Sequence, residues 1–169
     1  HNMKFLDAVL ARIAPYDCLV YDQEGALICE DCIPSLGTPI PSRCFRCQAL
    51  TTNFKVCKSC RTSVAIGHAW MRYVYRDYAK ALIKEFKFNG KRGAAKEIAQ
   101  LMARHVPTNA NYVLVHIPTA TSRVRERGYD HAKLLAAALA NETGLKHRSL
   151  LVRTSRQRQL GLGRAERLR

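Results

Sequence analysis

No stretch of this 169-residue sequence approaches the ~18 consecutive apolar residues that a membrane-spanning helix needs. The N-terminus also lacks the basic segment, apolar run and small-residue cleavage site of a secretory leader. Both absences lead us to expect a cytoplasmic protein, with Met3 as its native start and His1-Asn2 as a cloning remnant. Two catalytic zinc signatures are missing as well: neither H-x-E with P-C-x-x-C nor H-E-x-x-H occurs, which sets aside deaminase and protease chemistry. Acidic residues are scarce, thirteen against 28 Lys and Arg, for a net charge of +15. The deficit is local. Residues 1–60 carry six basic and six acidic side chains, whereas residues 61–169 carry 22 and seven, so the second part holds the whole excess. Such a surface argues for phosphate-bearing partners and says nothing about fold. Compositional marks of disorder are absent too, at 47% hydrophobic and 24% charged residues, and there is no internal repeat beyond the cysteine pairs. A chain of this size buries roughly 70% of its unfolded surface and needs no disulfide staples.

The seven cysteines therefore need another explanation. Three C-x-x-C pairs stand at Cys29/Cys32, Cys44/Cys47 and Cys57/Cys60, with Cys18 before them. Two thiolates separated by two residues turn around one ion, and two such knuckles complete the tetrahedron that zinc prefers. Cys44, Cys47, Cys57 and Cys60 make a complete set; with no open coordination position, its zinc would be structural. Cys18, Cys29 and Cys32 supply three ligands, and Tyr21 stands where a fourth would fall. Spacing leaves three outcomes for them: a fourth ligand from elsewhere, no metal, or exchange of partners with the later pairs.

Periodicity divides the chain into residues 1–63 and 64–169. Phe5, Leu6, Val9, Leu10 and Ile13 share one face of a short helix over residues 4–13, closed by Pro15. An irregular cysteine-rich stretch follows to about residue 63. Aromatic and β-branched residues from His68 to Tyr75 suggest a strand. Helical spacing returns over Asp77 to Phe88, stopped by Asn89-Gly90, and again from about Gly93 to His105. Tyr112 to Ile117 is an almost unbroken apolar run, expected to be a strand buried on both faces. A polar loop, Thr119 to Arg127, leads to a helix from about Tyr129 to Glu142 with Gly144 as its stop, then to a second buried strand at Leu150–Val152. Strand, helix and strand in this order make a βαβ unit, so residues 64–169 read as an α/β domain with a parallel sheet.

Arg123, Arg125 and Arg127 precede that helix, and Gly128 and Tyr129 follow them. Guanidinium forks and free N–H groups at a helix start suit an anion beyond the carboxyl end of a strand. A second basic run closes the chain with Arg153, Arg156, Arg158, Arg164, Arg167 and Arg169. It can track a phosphate backbone, but it has no aromatic residues for base stacking.

The cysteine knuckles, KALIKEFKFNGKRGAAKEIAQLMA, VHIPTATSRVRERGYDHAKLLAAALA and VRTSRQRQLGLGRAERLR together resemble the ComF family of phosphoribosyltransferase-like proteins, from about Cys18 onward. The resemblance implies a type I phosphoribosyltransferase-like parallel-sheet domain, incomplete at its C-terminus, preceded by a small zinc-ribbon-like domain. It also implies a role in natural transformation, handling single-stranded DNA at the cytoplasmic face of the membrane beside other uptake proteins such as a helicase-like ATPase. The alternative it carries is phosphoribosyl transfer, with magnesium and phosphoribosyl pyrophosphate held by Arg125, Arg127, Gly128, Tyr129 and Lys87. Two departures stand out. The family has Asn-Gln where this chain has Asp130-His131, and its paired acids before a Thr-Gly sugar-phosphate loop have no match, since no two acidic residues are adjacent after residue 61.

Overall fold

The computed structural model describes residues 15–107, 111–154 and 163. The helix expected over residues 4–13, and Arg156, Arg158, Arg164 and Arg167, lie outside the described residues. The elements run in chain order as a 3-10 helix Glu30–Leu36, α1 Lys58–Arg61, α2 Asp77–Phe88, α3 Ala94–Ala103, β1 Val113–Val115, α4 Thr121–Arg127, α5 His131–Thr143 and β2 Lys146–Arg148. The two strands pair in parallel, Val113 with Lys146 and Val115 with Arg148, and α5 crosses between them. The chain is thus α/β, with a βαβ unit where the periodicity placed one.

Residues 16–63 are built from turns rather than regular elements. Antiparallel bridges join Asp17 to Glu24 and Arg43 to Leu50, closing tight loops around Cys18 and around Cys44 and Cys47. The apolar positions of α2 and α3 meet this segment in a single core: Leu82 and Phe86 from α2, Ala94, Ala95, Ile98 and Leu101 from α3, and Cys18, Leu27, Ile28, Cys32 and Leu36. Glu97 fastens the two sides. Its carboxylate accepts the backbone N–H groups of Leu27 at 3.1 Å and Ile28 at 2.9 Å. Helix α5 packs along α3. Asp130 caps its start by accepting from the N–H groups of Ala132 and Lys133, and Gly144, in the left-handed region at φ 73°, ends it.

Four expectations need correction. His68–Tyr75 forms no strand, only a bridge from Lys55 to His68; its aromatic character serves a Trp70 ring stacked on His68 at 5.3 Å and an Arg72 guanidinium over Tyr73. Thr119–Arg127 is not all loop. It contains no glycine or proline before Gly128, and residues 121–127 close into α4, which Gly128 ends at φ 79°. The second strand is the polar Lys146–Arg148 instead of Leu150–Val152, because the Gly144 stop turns the chain straight into pairing; Val152 is left 86% exposed. Finally, β1 is not buried on both faces. Val113 and Val115 are exposed, and the strand borders an open apolar cleft of about 430 Å³ with Trp70, Met102, Leu135 and Leu139. Only α5 covers a two-stranded sheet among the described residues, so the apolar run has one layer to bury against.

Candidate metal centres and anion site

The turns of the cysteine segment bring sulfur atoms together in two separate sets, Cys44, Cys47, Cys57 and Cys60, and Cys18, Cys29 and Cys32. Within each set the Sγ atoms lie within 4.8 Å of one another, and either set could hold a metal ion. In the first, Gln48 N donates to Cys44 O and Cys60 N to Cys57 O, the backbone closure that points both sulfurs of a C-x-x-C pair to one side. Gln48 takes a positive φ of 65° to make the Cys44 turn. The Cys47 and Cys57 sulfurs stand 3.6 Å apart, and those of Cys18 and Cys29 stand 3.8 Å apart. Ligands about 2.3 Å from a tetrahedral zinc are separated by about 3.8 Å; the four-sulfur set supplies a whole tetrahedron, whereas the second supplies three donors and brings Cys29 and Cys32 to 3.1 Å.

The thiols of each set divide in acidity. Backbone N–H groups of Cys47 and Cys57 aimed at its sulfur bring Cys44 down to about 6 against burial, whereas burial and the neighbouring sulfurs push Cys60 up to about 12. In the other set burial raises Cys18, but the N–H groups of Cys29, Val20 and Tyr21 outweigh it and bring the thiol to about 7. Burial and the sulfurs of Cys29 and Cys18 push Cys32 to about 12. A crowded set of thiols tolerates few negative charges until a cation neutralises them. Of the pairings left open by spacing, the structure brings together the uncrossed one, and the exposed Tyr21 ring is outside the second set.

The second site forms where the Gly128 turn meets the end of α2. Tyr129 is buried, its hydroxyl donates to the Phe86 carbonyl, and its ring lies 6.0 Å from the Phe86 ring. This bolt sets Arg127 beside Lys87 and Phe88. Arg127 donates from Nη1 to Nδ1 of His131 at 2.9 Å, and its guanidinium lies 5.0 Å from the Phe88 ring centroid. Burial and the Arg127 charge lower the Lys87 pKa; burial, Arg127 and Lys87 lower that of His131, with Asp130 opposing. Asp130 is already engaged. It accepts from the Thr119 hydroxyl at 2.6 Å, the Thr119 N–H and the two N–H groups it caps, and although burial pushes its pKa up, these donors hold it below the ordinary value. Among the described residues neither Lys87 nor Arg127 makes an ion pair.

The alternate arginines part company on the helix. Arg127 faces the cluster; Arg123, one turn earlier, pairs with Glu126 on the surface; Arg125, about 200° round from Arg127, is exposed on the other side. Arg153 is exposed beyond β2. The residue pattern marks His131 only as a departure from the family and assigns Phe88 to the core rather than to a base contact, whereas the ring is exposed; it does not mark Glu97 at all. Asp130 before an apolar-periodic run is an N-cap signal that could have located the α5 start, and so His131; nothing local marks Glu97 as a clamp.

The chain is similar to two curated proteins. Competence protein ComFC of Bacillus subtilis (strain 168) is 28% identical over 151 residues, covering 83% of this chain and 61% of its own length. Competence protein ComFC of Streptococcus pneumoniae is 23% identical over 153 residues, covering 89% of this chain and 67% of its own. These likenesses support the resemblance to the ComF family. The chain spans about three fifths to two thirds of the length of these ComF relatives. No family model and no solved structure matches it.

Proposed function

We propose that this ComF-like chain serves in competence by handling single-stranded DNA, with structural zinc in the cysteine sets bracing the domain that binds it. The observation that carries the reading is the convergence of Lys87, Arg127 and His131 on a surface whose carboxylate, Asp130, is committed elsewhere. Burial and the Arg127 charge lower the proton affinity of Lys87 and of His131, so an anionic ligand is favoured there, and a phosphodiester supplies one. Arg123, Arg125 and the late run with Arg153, Arg156, Arg158, Arg164 and Arg167 would extend the contact along the backbone. In this reading the protein works at the cytoplasmic side of the membrane beside an ATPase of the uptake machinery; no described helix is long and apolar enough to cross a bilayer.

Binding to an oligothymidine, followed by fluorescence anisotropy from 50 to 300 mM salt, tests this, with a slope of about −0.7 per phosphate contacted. Replacing both Lys87 and Arg127 by Ala should flatten the slope by about 1.4. Salt-independent binding refutes the reading.

The parallel βαβ unit, with its Gly128 turn beyond the carboxyl end of β1, favours a second reading, a phosphoribosyltransferase-like fold acting on phosphoribosyl pyrophosphate with magnesium. A magnesium-dependent rise in melting temperature with that ligand would support it, and no shift would count against it.

A further inference from the structure

We propose that Phe88 is a base-stacking side chain, forming with Arg127 and Lys87 a one-nucleotide subsite for single-stranded DNA. The inference rests on the single-strand reading above and adds the partner of one ring. Phe88 is the last residue of α2, two positions beyond the inward Phe86, which places it about 200° round the helix and away from the core. It is 62% exposed.

An isolated exposed apolar residue is ordinary. The surroundings of this one are not. The Arg127 guanidinium sits 5.0 Å from the ring centroid, Lys87 precedes it in sequence, and Arg127 in turn donates to His131. An accessible ring set among cations, with one side near a guanidinium and much of its surface open, is the arrangement that receives a base on the ring and its phosphate on the charges. The Tyr129 bolt supplies rigidity, since it fixes the turn carrying Arg127 to the carbonyl of Phe86, two residues from the ring. The late basic run has no aromatic residue, so Phe88 provides base contact where that run can provide only phosphate contact.

The test compares two probes of equal length and equal phosphate count, an oligothymidine and a fully abasic oligonucleotide, bound to the metal-loaded chain at fixed salt. The wild type should prefer the oligothymidine by about tenfold, a preference within the range of stacking one base on an aromatic ring. Phe88→Ala should lose most of that preference while keeping the salt slope, and Phe88→Trp should retain it. Because the ring is outside the core, the alanine variant should melt with the wild type. A preference that survives in Phe88→Ala, or its absence in the wild type, overturns the subsite while leaving single-strand binding intact. Failure of the wild type to bind either probe overturns both readings.

Discussion

Removal of the Tyr129 hydroxyl is the sharpest probe of how the turn is held. The phenol is buried, and its one polar atom donates to the carbonyl of Phe86. Burial raises the Tyr129 pKa above its ordinary value, so the hydroxyl remains a neutral donor across the working pH range. In Tyr129→Phe the ring stays and its contacts with Phe86 and the Arg92 guanidinium persist, so no cavity opens. What is lost is one hydrogen bond, worth about 1 kcal/mol net, with a further share if the Phe86 carbonyl is left dry. We expect about 1–2 kcal/mol of destabilisation in urea melts, or about 3–6 °C in melting temperature for a chain of this length. Tyr129→Ala removes the ring as well and should cost about 3–5 kcal/mol. The functional signature is separate. With the turn loosened, Tyr129→Phe should weaken oligothymidine binding without changing which phosphates are contacted, so the salt slope should stay fixed. A Tyr129→Phe protein within about 0.5 kcal/mol of the wild type would refute the account, because that is the scatter of surface substitutions that touch nothing.

Replacing Cys44 by Ser should lower the metal content by one ion per chain in native mass spectrometry and destabilise the fold; unchanged metal content would show that the four-sulfur set is not a site. Glu97→Ala should cost about 2–4 kcal/mol in urea melts, since the N–H groups of Leu27 and Ile28 lose a charged acceptor at a half-buried position; a loss under 1 kcal/mol would mean that water replaces the carboxylate freely. Burial, followed by neighbouring cationic or imidazole groups, holds His105, His131 and His147 below the ordinary 6.5. The native state thus binds fewer protons than the unfolded chain as pH falls through that value, and urea midpoints should decline from pH 7 to 5. Within this set, His147→Gln should flatten part of the decline, because His147 meets His116 at 3.0 Å across the strand pair; a midpoint that rises on acidification would contradict the assignment.

Some of this molecule was plain in its residues and some was not, and the division follows the range of the forces involved. Helix α2 runs from Asp77 to Phe88, where the spacing of Tyr78, Leu82 and Phe86 and the Asn89-Gly90 stop placed it. These signals are local, as are those of α5, with Asp130 at one end and Gly144 at the other. The two metal-ligand sets also followed from short spacings, although their uncrossed pairing did not. By contrast β2 is Lys-His-Arg, a tripeptide without strand character, made a strand by its parallel partner 33 residues away. The polar run Thr119–Arg127 suggested a loop, yet helix closure before Gly128 outweighed that appearance and turned Arg125 away from Arg127. The anion cluster depends on residues about 40 apart, Lys87 and Arg127, which meet only because Tyr129 reaches Phe86. No window-based pattern contains such a distance.

The buried cluster runs from Cys18 to Tyr129, and β2 contributes nothing to it. A nascent chain emerges from its N-terminus onward, so all the side chains of that cluster are available before the second strand has been made. The knuckles and helices can settle first, leaving β1 as a waiting edge until α5 and β2 arrive, and the parallel pair, whose partners are 33 residues apart, closes last. Synthesis order and packing order therefore agree: the longer-range contacts, Leu27 with Glu97 and Phe86 with Tyr129, can be in place before the edge pair forms on them.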